Sequence, residues 1–170
     1  MSSCKRSMKV LAGVAMLAML AACGFQLRGT ATFPFTTLSL PASQSVFVVE
    51  LERTIASGSN AKIVRKADEA QAIFELLAEA REKVILSLNT QGRVREYQLR
   101  YRVAYRVHDG KGGYFLAPND IVLRRDITFN DQVLAKESEE ALLYREMQSD
   151  MVQQIMRRLA ASKLRRPEDD

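Results

Sequence analysis

The stretch Tyr97-Gln98-Leu99-Arg100-Tyr101-Arg102-Val103-Ala104-Tyr105-Arg106-Val107-His108 keeps a strict two-residue rhythm of large apolar side chains. Successive residues of a strand point to opposite faces, so Tyr97, Leu99, Tyr101, Val103, Tyr105 and Val107 share one side. Gln98, Arg100, Arg102, Ala104, Arg106 and His108 share the other. One apolar face and one wet face are the pattern of an antiparallel sheet covered on a single side. Asp109-Gly110-Lys111-Gly112-Gly113 follows as a turn, and 121–129 alternates again, with Ile121, Leu123, Ile127 and Phe129 together. The two runs predict a hairpin.

Toward the N-terminus, 67–88 is rich in Ala, Glu and Leu, for which local propensity favours a helix. A period of two nevertheless places Phe74, Leu76, Ala78, Ala80, Val84, Leu86 and Leu88 on one side and Glu75, Glu79, Arg81, Lys83 and Ser87 on the other. The segment is read as a strand interrupted near Glu82 and ended by the turn residues Asn89-Thr90-Gln91-Gly92. Thr36 to Leu40 predicts a first strand. Ser45 then caps a short helix over 46–57, whose Phe47, Val48, Leu51 and Ile55 form one stripe before Gly58.

Toward the C-terminus, Leu143, Met147, Met151, Ile155 and Leu159 recur every four residues, flanked by Val152 and Met156, and predict a long amphipathic helix over 136–162. The order β-α-β-β-β-α predicts an α+β two-layer sandwich: a four-stranded, mostly antiparallel sheet with two helices packed on one face. A single domain is expected over 23–163, with a polar, disordered tail over 164–170.

Residues 1–9 carry Lys5, Arg6 and Lys9 and no acid, and the uncharged run from Val10 to Ala22 ends in Leu20-Ala21-Ala22-Cys23. A basic segment, an apolar segment and small residues before a cysteine predict a lipoprotein signal peptide over 1–22. Cys23 would then be the lipid attachment residue, carrying an S-diacylglycerol and an N-acyl chain. The alternative is an uncleaved helix from Val10 to Leu27, which approaches the ~18 residues needed to span a bilayer, although its middle is rich in Ala and Gly. Gly24, where an Asp would favour inner-membrane retention, points to the outer membrane.

The 170 residues suffice for one domain and exclude two ordinary ones. Lys and Arg number 25 against 20 acids, a formal +5, but cleavage before Cys23 leaves 148 residues and 22 basic groups, a formal +2. So small an excess, together with export, argues against nucleic acid as a partner. His108 is the only histidine, so no histidine triad or multi-histidine metal site can be assembled. Gly110, Gly112 and Gly113 join two strands rather than a strand and a helix, which excludes a phosphate loop. No catalytic residue, metal ligand or cofactor is expected, and the reading is non-enzymatic.

Arg100, Arg102 and Arg106 project from one strand face at spacings of roughly 7 and 13 Å. Arg93 and Arg95 extend the row, and Arg124 and Arg125 come from the predicted partner strand. Guanidinium forks suit phosphate and carboxylate, so this face is a candidate for an anionic amphiphile or an acidic protein wall. The competing reading is a solvated face with cross-strand pairs to Glu75 and Glu79.

Cys23-Gly24-Phe25-Gln26-Leu27-Arg28-Gly29 after the signal, Glu96-Tyr97-Gln98-Leu99 opening a strand and Leu134-Ala135-Lys136 before the last helix together resemble the LPS-assembly lipoprotein family LptE. The resemblance implies a non-enzymatic outer-membrane lipoprotein that plugs and helps assemble the LptD β-barrel, binds lipopolysaccharide and supports its transport to the outer leaflet. It also implies a basic pair for lipopolysaccharide contact. Lys136 matches one member, whereas Thr90 stands where the family has arginine, with Arg93 across the turn as a substitute. The alternative function is a general lipoprotein accessory for another outer-membrane barrel or a secretin.

Overall fold

Strand pairing in the computed structural model, which describes residues 30–128 and 133–166, is dominated by three long strands. They are β3 (Ala72–Leu88), β4 (Val94–His108) and β5 (Tyr114–Thr128), joined as an antiparallel meander. Two three-residue strands, β1 (Thr37–Ser39) and β2 (Lys62–Val64), complete a five-stranded sheet of order β2-β1-β3-β4-β5. Helix α1 (Val46–Gly58) connects β1 to β2, and α2 (Val133–Ala160) follows β5.

Five strands replace the expected four. The addition is β2, whose Lys62-Ile63-Val64 is too short to show any period. It becomes a strand because α1 carries the chain back alongside β1, with which it pairs in parallel from Thr37↔Lys62 to Ser39↔Val64. Parallel neighbours require such a crossover. β5 begins seven residues before the predicted Ile121 and continues through Pro118. β4 supports only one of its edges, and a proline without an N–H is tolerated where the other edge lacks a strand.

A bulge in β3 sets what the sheet displays. Leu76 pairs with Tyr105 and Ala78 with the adjacent Ala104, so Leu77 is an extra residue without a β4 partner. One added residue inverts the alternation downstream. Phe74 and Leu76 share a face with Tyr105 and Val107, but beyond the bulge Glu79, Arg81, Lys83 and Ile85 take over that face, opposite Val103, Tyr101, Leu99 and Tyr97. Ala78, Ala80, Glu82 and Val84 turn to the other side. The interruption therefore lies at Leu77 rather than near Glu82, and the two sequence-derived faces of β3 are exchanged from Ala78 to Ile85, beyond which a second register shift pairs Ser87 with Glu96. Deletion of Leu77, which is 47% exposed, removes the bulge and keeps every downstream pair in place. A urea midpoint corresponding to a change within about 1.5 kcal/mol is expected, as for a surface alteration without core loss. Loss of cooperative unfolding in that variant would show that the bulge itself is required.

The apolar face of β4 is fully used: Leu99, Tyr101, Val103, Tyr105 and Val107 are all 0% exposed. They share one core with Phe47, Val48, Leu51 and Ile55 of α1 and Met147, Met151, Val152, Ile155 and Leu159 of α2. Both predicted helical stripes are thus buried in the same core as this sheet face. α2 starts at Val133 and ends at Ala160, a shift of two or three residues toward the N-terminus from the predicted span. Beyond it, Arg165 exchanges two backbone hydrogen bonds with Tyr114, at 2.8 and 2.9 Å. The polar tail expected to be disordered from 164 is consequently tied to the sheet edge at Arg165. Phe129 and Cys23 lie outside the described residues.

Candidate functional site

Charge is distributed differently over the two faces and the two ends of the meander. On the helix side, the bulge delivers Glu79, Arg81 and Lys83 beneath α1 and α2. The Tyr101 hydroxyl donates to Glu79 Oε1 at 2.8 Å, and the Ser45 hydroxyl, just before α1, donates to the other carboxylate oxygen. Arg81 donates to Gln148 Oε1 at 2.9 Å, and Gln148 in turn donates to Glu50 of α1 at 2.6 Å. The Arg81 guanidinium also lies 5.3 Å from the Tyr101 ring centre and 5.4 Å from that of Tyr144. Tyr144 donates to the Glu82 carbonyl at 2.8 Å. Burial, followed by the bond to Glu79 and its negative charge, pushes the Tyr101 hydroxyl well above its ordinary pKa, so it stays a donor at all physiological pH. These groups hold the helices on the sheet; they leave no exposed reactive pair.

The opposite face carries the predicted arginine row, and the structure divides it. Arg106 is paired with Glu75, and His108 Nε2 lies 3.5 Å from the same carboxylate. The Arg106 bond holds Glu75 below the usual carboxylate range despite its exposure. Arg102 donates to Asp120 at 2.9 Å. Arg100 donates to the neutral Gln98 at 2.9 Å and stands directly opposite Arg124 on β5. The cross-strand reading therefore holds for Arg106 with Glu75 and fails for Glu79, which the bulge has carried to the helix side. An anion at Arg102 or Arg106 has to displace a carboxylate. Arg100 stands between Arg124 on β5 and Glu82 on β3, so the repulsion from one neighbour is offset by the acid on the other side.

The β3–β4 turn supplies the remaining predicted arginine. Asn89 Oδ1 accepts the backbone N–H groups of Gln91 and Arg93, both at 2.9 Å, while Asn89 donates to the Arg93 carbonyl at 2.8 Å. Gly92 has φ 75°, in the region that favours glycine, and closes this turn. Arg93 and Arg95 are exposed and form no side-chain hydrogen bond or ion pair among the described residues. Beside them Ile85, Leu86 and Leu88 are exposed by 54, 46 and 56%. Sequence periodicity had put Leu86 and Leu88 on the buried side. The signal it passed over is the run Val84-Ile85-Leu86, apolar on both faces of a strand. This end of the hairpin thus combines free guanidinium groups with apolar surface. Lys136 belongs to the backbone of α2, and its side chain lies outside the described residues, so its distance from Arg93 is not part of this geometry.

No group of three or more potential metal-ligating side chains occurs among the described residues, and no described helix is long and apolar enough to cross a membrane. No curated protein matches the sequence. Solved structures do. An uncharacterized lipoprotein B from Nitrosomonas europaea is 41% identical with a TM-score of 0.70, covering 81% of this chain and 91% of its own. The rare lipoprotein B from Shewanella oneidensis is 32% identical with a TM-score of 0.63, covering 74% and 95%. A minor lipoprotein from Acinetobacter baumannii, 21% identical with a TM-score of 0.63 and coverage of 79% and 99%, shares the fold. The model of one family, described as LptE, lipopolysaccharide-assembly, matches residues 30–159. Because that match includes α1, the whole meander and nearly all of α2, the chain belongs to the LptE family of lipopolysaccharide-assembly lipoproteins.

Proposed function

We propose that the protein is an outer-membrane lipoprotein, anchored through acylated Cys23 at the periplasmic face, that plugs and helps assemble the LptD barrel and binds lipopolysaccharide on its way to the outer leaflet. The observation that supports this reading best is the hairpin end, where Arg93 and Arg95 stand free beside exposed Ile85, Leu86 and Leu88. Phosphate and acyl groups occur together in lipopolysaccharide, and free guanidinium groups beside apolar surface answer both. The work is done by surface rather than by covalent chemistry. Lys136 and the face arginines Arg100, Arg102 and Arg106 remain contact candidates; Arg100 donates to Gln98 and forms no ion pair among the described residues, although Glu82 stands opposite it on β3.

Affinity purification of the intact protein from native outer membrane should recover LptD. Recovery of another barrel or a secretin, with no LptD, would establish the general accessory function instead. For the ligand, Arg93→Glu with Arg95→Glu should weaken binding of purified lipopolysaccharide at least about tenfold at low salt, as expected from reversing two surface charges near phosphates. Arg102→Glu should weaken it less, since Arg102 already has Asp120. A larger loss for Arg102→Glu than for the turn variant, measured by equilibrium binding, would place the contact on the sheet face rather than at the turn.

A further inference from the structure

The end of the molecule opposite the β3–β4 turn is also basic, and it lies where the chain enters the fold. Ala31 donates to the Gly58 carbonyl at 2.7 Å, at the C-terminus of α1. It shares a hollow of about 410 Å³ with Gly58, Met156 and Arg157. Around the C-terminus of α2 from there, a larger hollow of about 810 Å³ opens between the start of β5 and the segment after α2. Its walls include Phe115 and Leu116 together with Arg158, Lys163 and Arg165. Arg157, Arg158, Lys163 and Arg165 are all exposed, and among the described residues only Arg158 of these has a side-chain partner, the neutral Asn119. The nearby acids are engaged: Asp109 accepts the N–H groups of Lys111 and Gly113, and Glu69 pairs with Lys66.

We propose that this end, centred on Arg157, Arg158, Lys163 and Arg165, docks on the anionic phospholipid headgroups of the membrane that holds the Cys23 anchor. The proposal rests on the reading of Cys23 as the acylated residue. Ala31 lies eight positions after Cys23, a span of at most about 29 Å when fully extended. The basic end is therefore held near the bilayer, whereas the β3–β4 turn lies a strand length, about 50 Å, away. Lipid anchors commonly act with a second signal, and each cation close to an anionic surface strengthens attachment roughly fivefold. Phe115 and Leu116 in the same hollow suit the glycerol and upper acyl region below a headgroup phosphate. Glu168, Asp169 and Asp170 follow in the sequence with the opposite charge, and salt limits the attraction of the patch to a Debye length of about 8 to 10 Å.

The test uses the full, acylated protein in vesicles, with a fluorophore on Ala161→Cys beside the patch or on Gln91→Cys at the hairpin turn, and a quencher fixed at the lipid headgroup. In phosphatidylethanolamine vesicles containing phosphatidylglycerol, the Ala161 label should be quenched and the Gln91 label should not. Quenching at Ala161 should drop in phosphatidylcholine, in high salt and in the Arg157→Glu, Lys163→Glu, Arg165→Glu variant, whose docked population should fall by at least about fivefold. Removing 168–170 should raise it, and a fall would count against the proposal. An acylated protein that floats with vesicles but shows equal signals at the two labels, or no dependence on lipid charge, overturns the inference alone. Protection of Ala161 that appears only on adding a purified barrel protein overturns it in favour of an acidic protein wall. An unmodified mass with no flotation overturns the anchor reading and this inference together.

Discussion

Tyr101→Ala should destabilise the protein by about 4 kcal/mol, the range found when a buried aromatic side chain is truncated. Tyr101 is 0% exposed at the centre of β4, and three separate contributions meet on it. Its ring fills the core beneath α2, its face receives the Arg81 guanidinium, and its hydroxyl satisfies Glu79. Removal leaves a cavity, and it also strips Glu79 of one donor and Arg81 of one aromatic neighbour. Tyr101→Phe separates these effects. It keeps the ring and loses only the hydrogen bond to a carboxylate, which should cost about 1 to 2 kcal/mol because Glu79 retains Ser45 and some access to water. Urea denaturation followed by far-ultraviolet circular dichroism gives both values. A Phe variant as unstable as the Ala variant would show that the polar bond, rather than the packing, dominates at this position.

Cys23→Ala should remove acylation completely. The expected effect is all or none, because no other residue of the mature chain offers a thiol for the thioether. Each buried methylene of an acyl chain contributes about 0.8 kcal/mol to membrane attachment, so several chains together hold a protein effectively permanently, and nothing in the folded domain compares with that. Mass spectrometry of the protein from wild-type and variant cells, with fractionation of the envelope, measures the result. An unchanged mass and an unchanged distribution would mean that the N-terminal segment is not a lipoprotein signal.

Legibility in the sequence varied with the physical signal. β4 and α2 were readable because each is long and one-sided: Leu99 to Val107 in steps of two, and Met147 to Leu159 in steps of four, mark the faces that are buried. β3 was readable as a strand but not as two faces, since a bulge leaves no mark in composition. Leu77 is one more apolar residue of the run until its neighbours Leu76 and Ala78 are seen to pair with adjacent residues. β2 was invisible, as three residues carry no period. The arginine row was legible as residue type and position, but its availability was not. Whether Arg102 and Arg106 are free depends on Asp120 and Glu75, which come from other strands.

The sequence by itself determined which segments are amphipathic and that one face of β4 is apolar and the other basic. These follow from local order, because side-chain direction repeats every two residues in a strand and about every 3.6 in a helix. Only the tertiary structure decided that Glu79, Arg81 and Lys83 lie beneath the helices, that Arg102 and Arg106 are paired with Asp120 and Glu75, and that Ile85, Leu86 and Leu88 stay exposed. Each of these depends on cross-strand register and on where the helices end above the sheet. Both are set by contacts between residues far apart in the chain, to which a local period is blind.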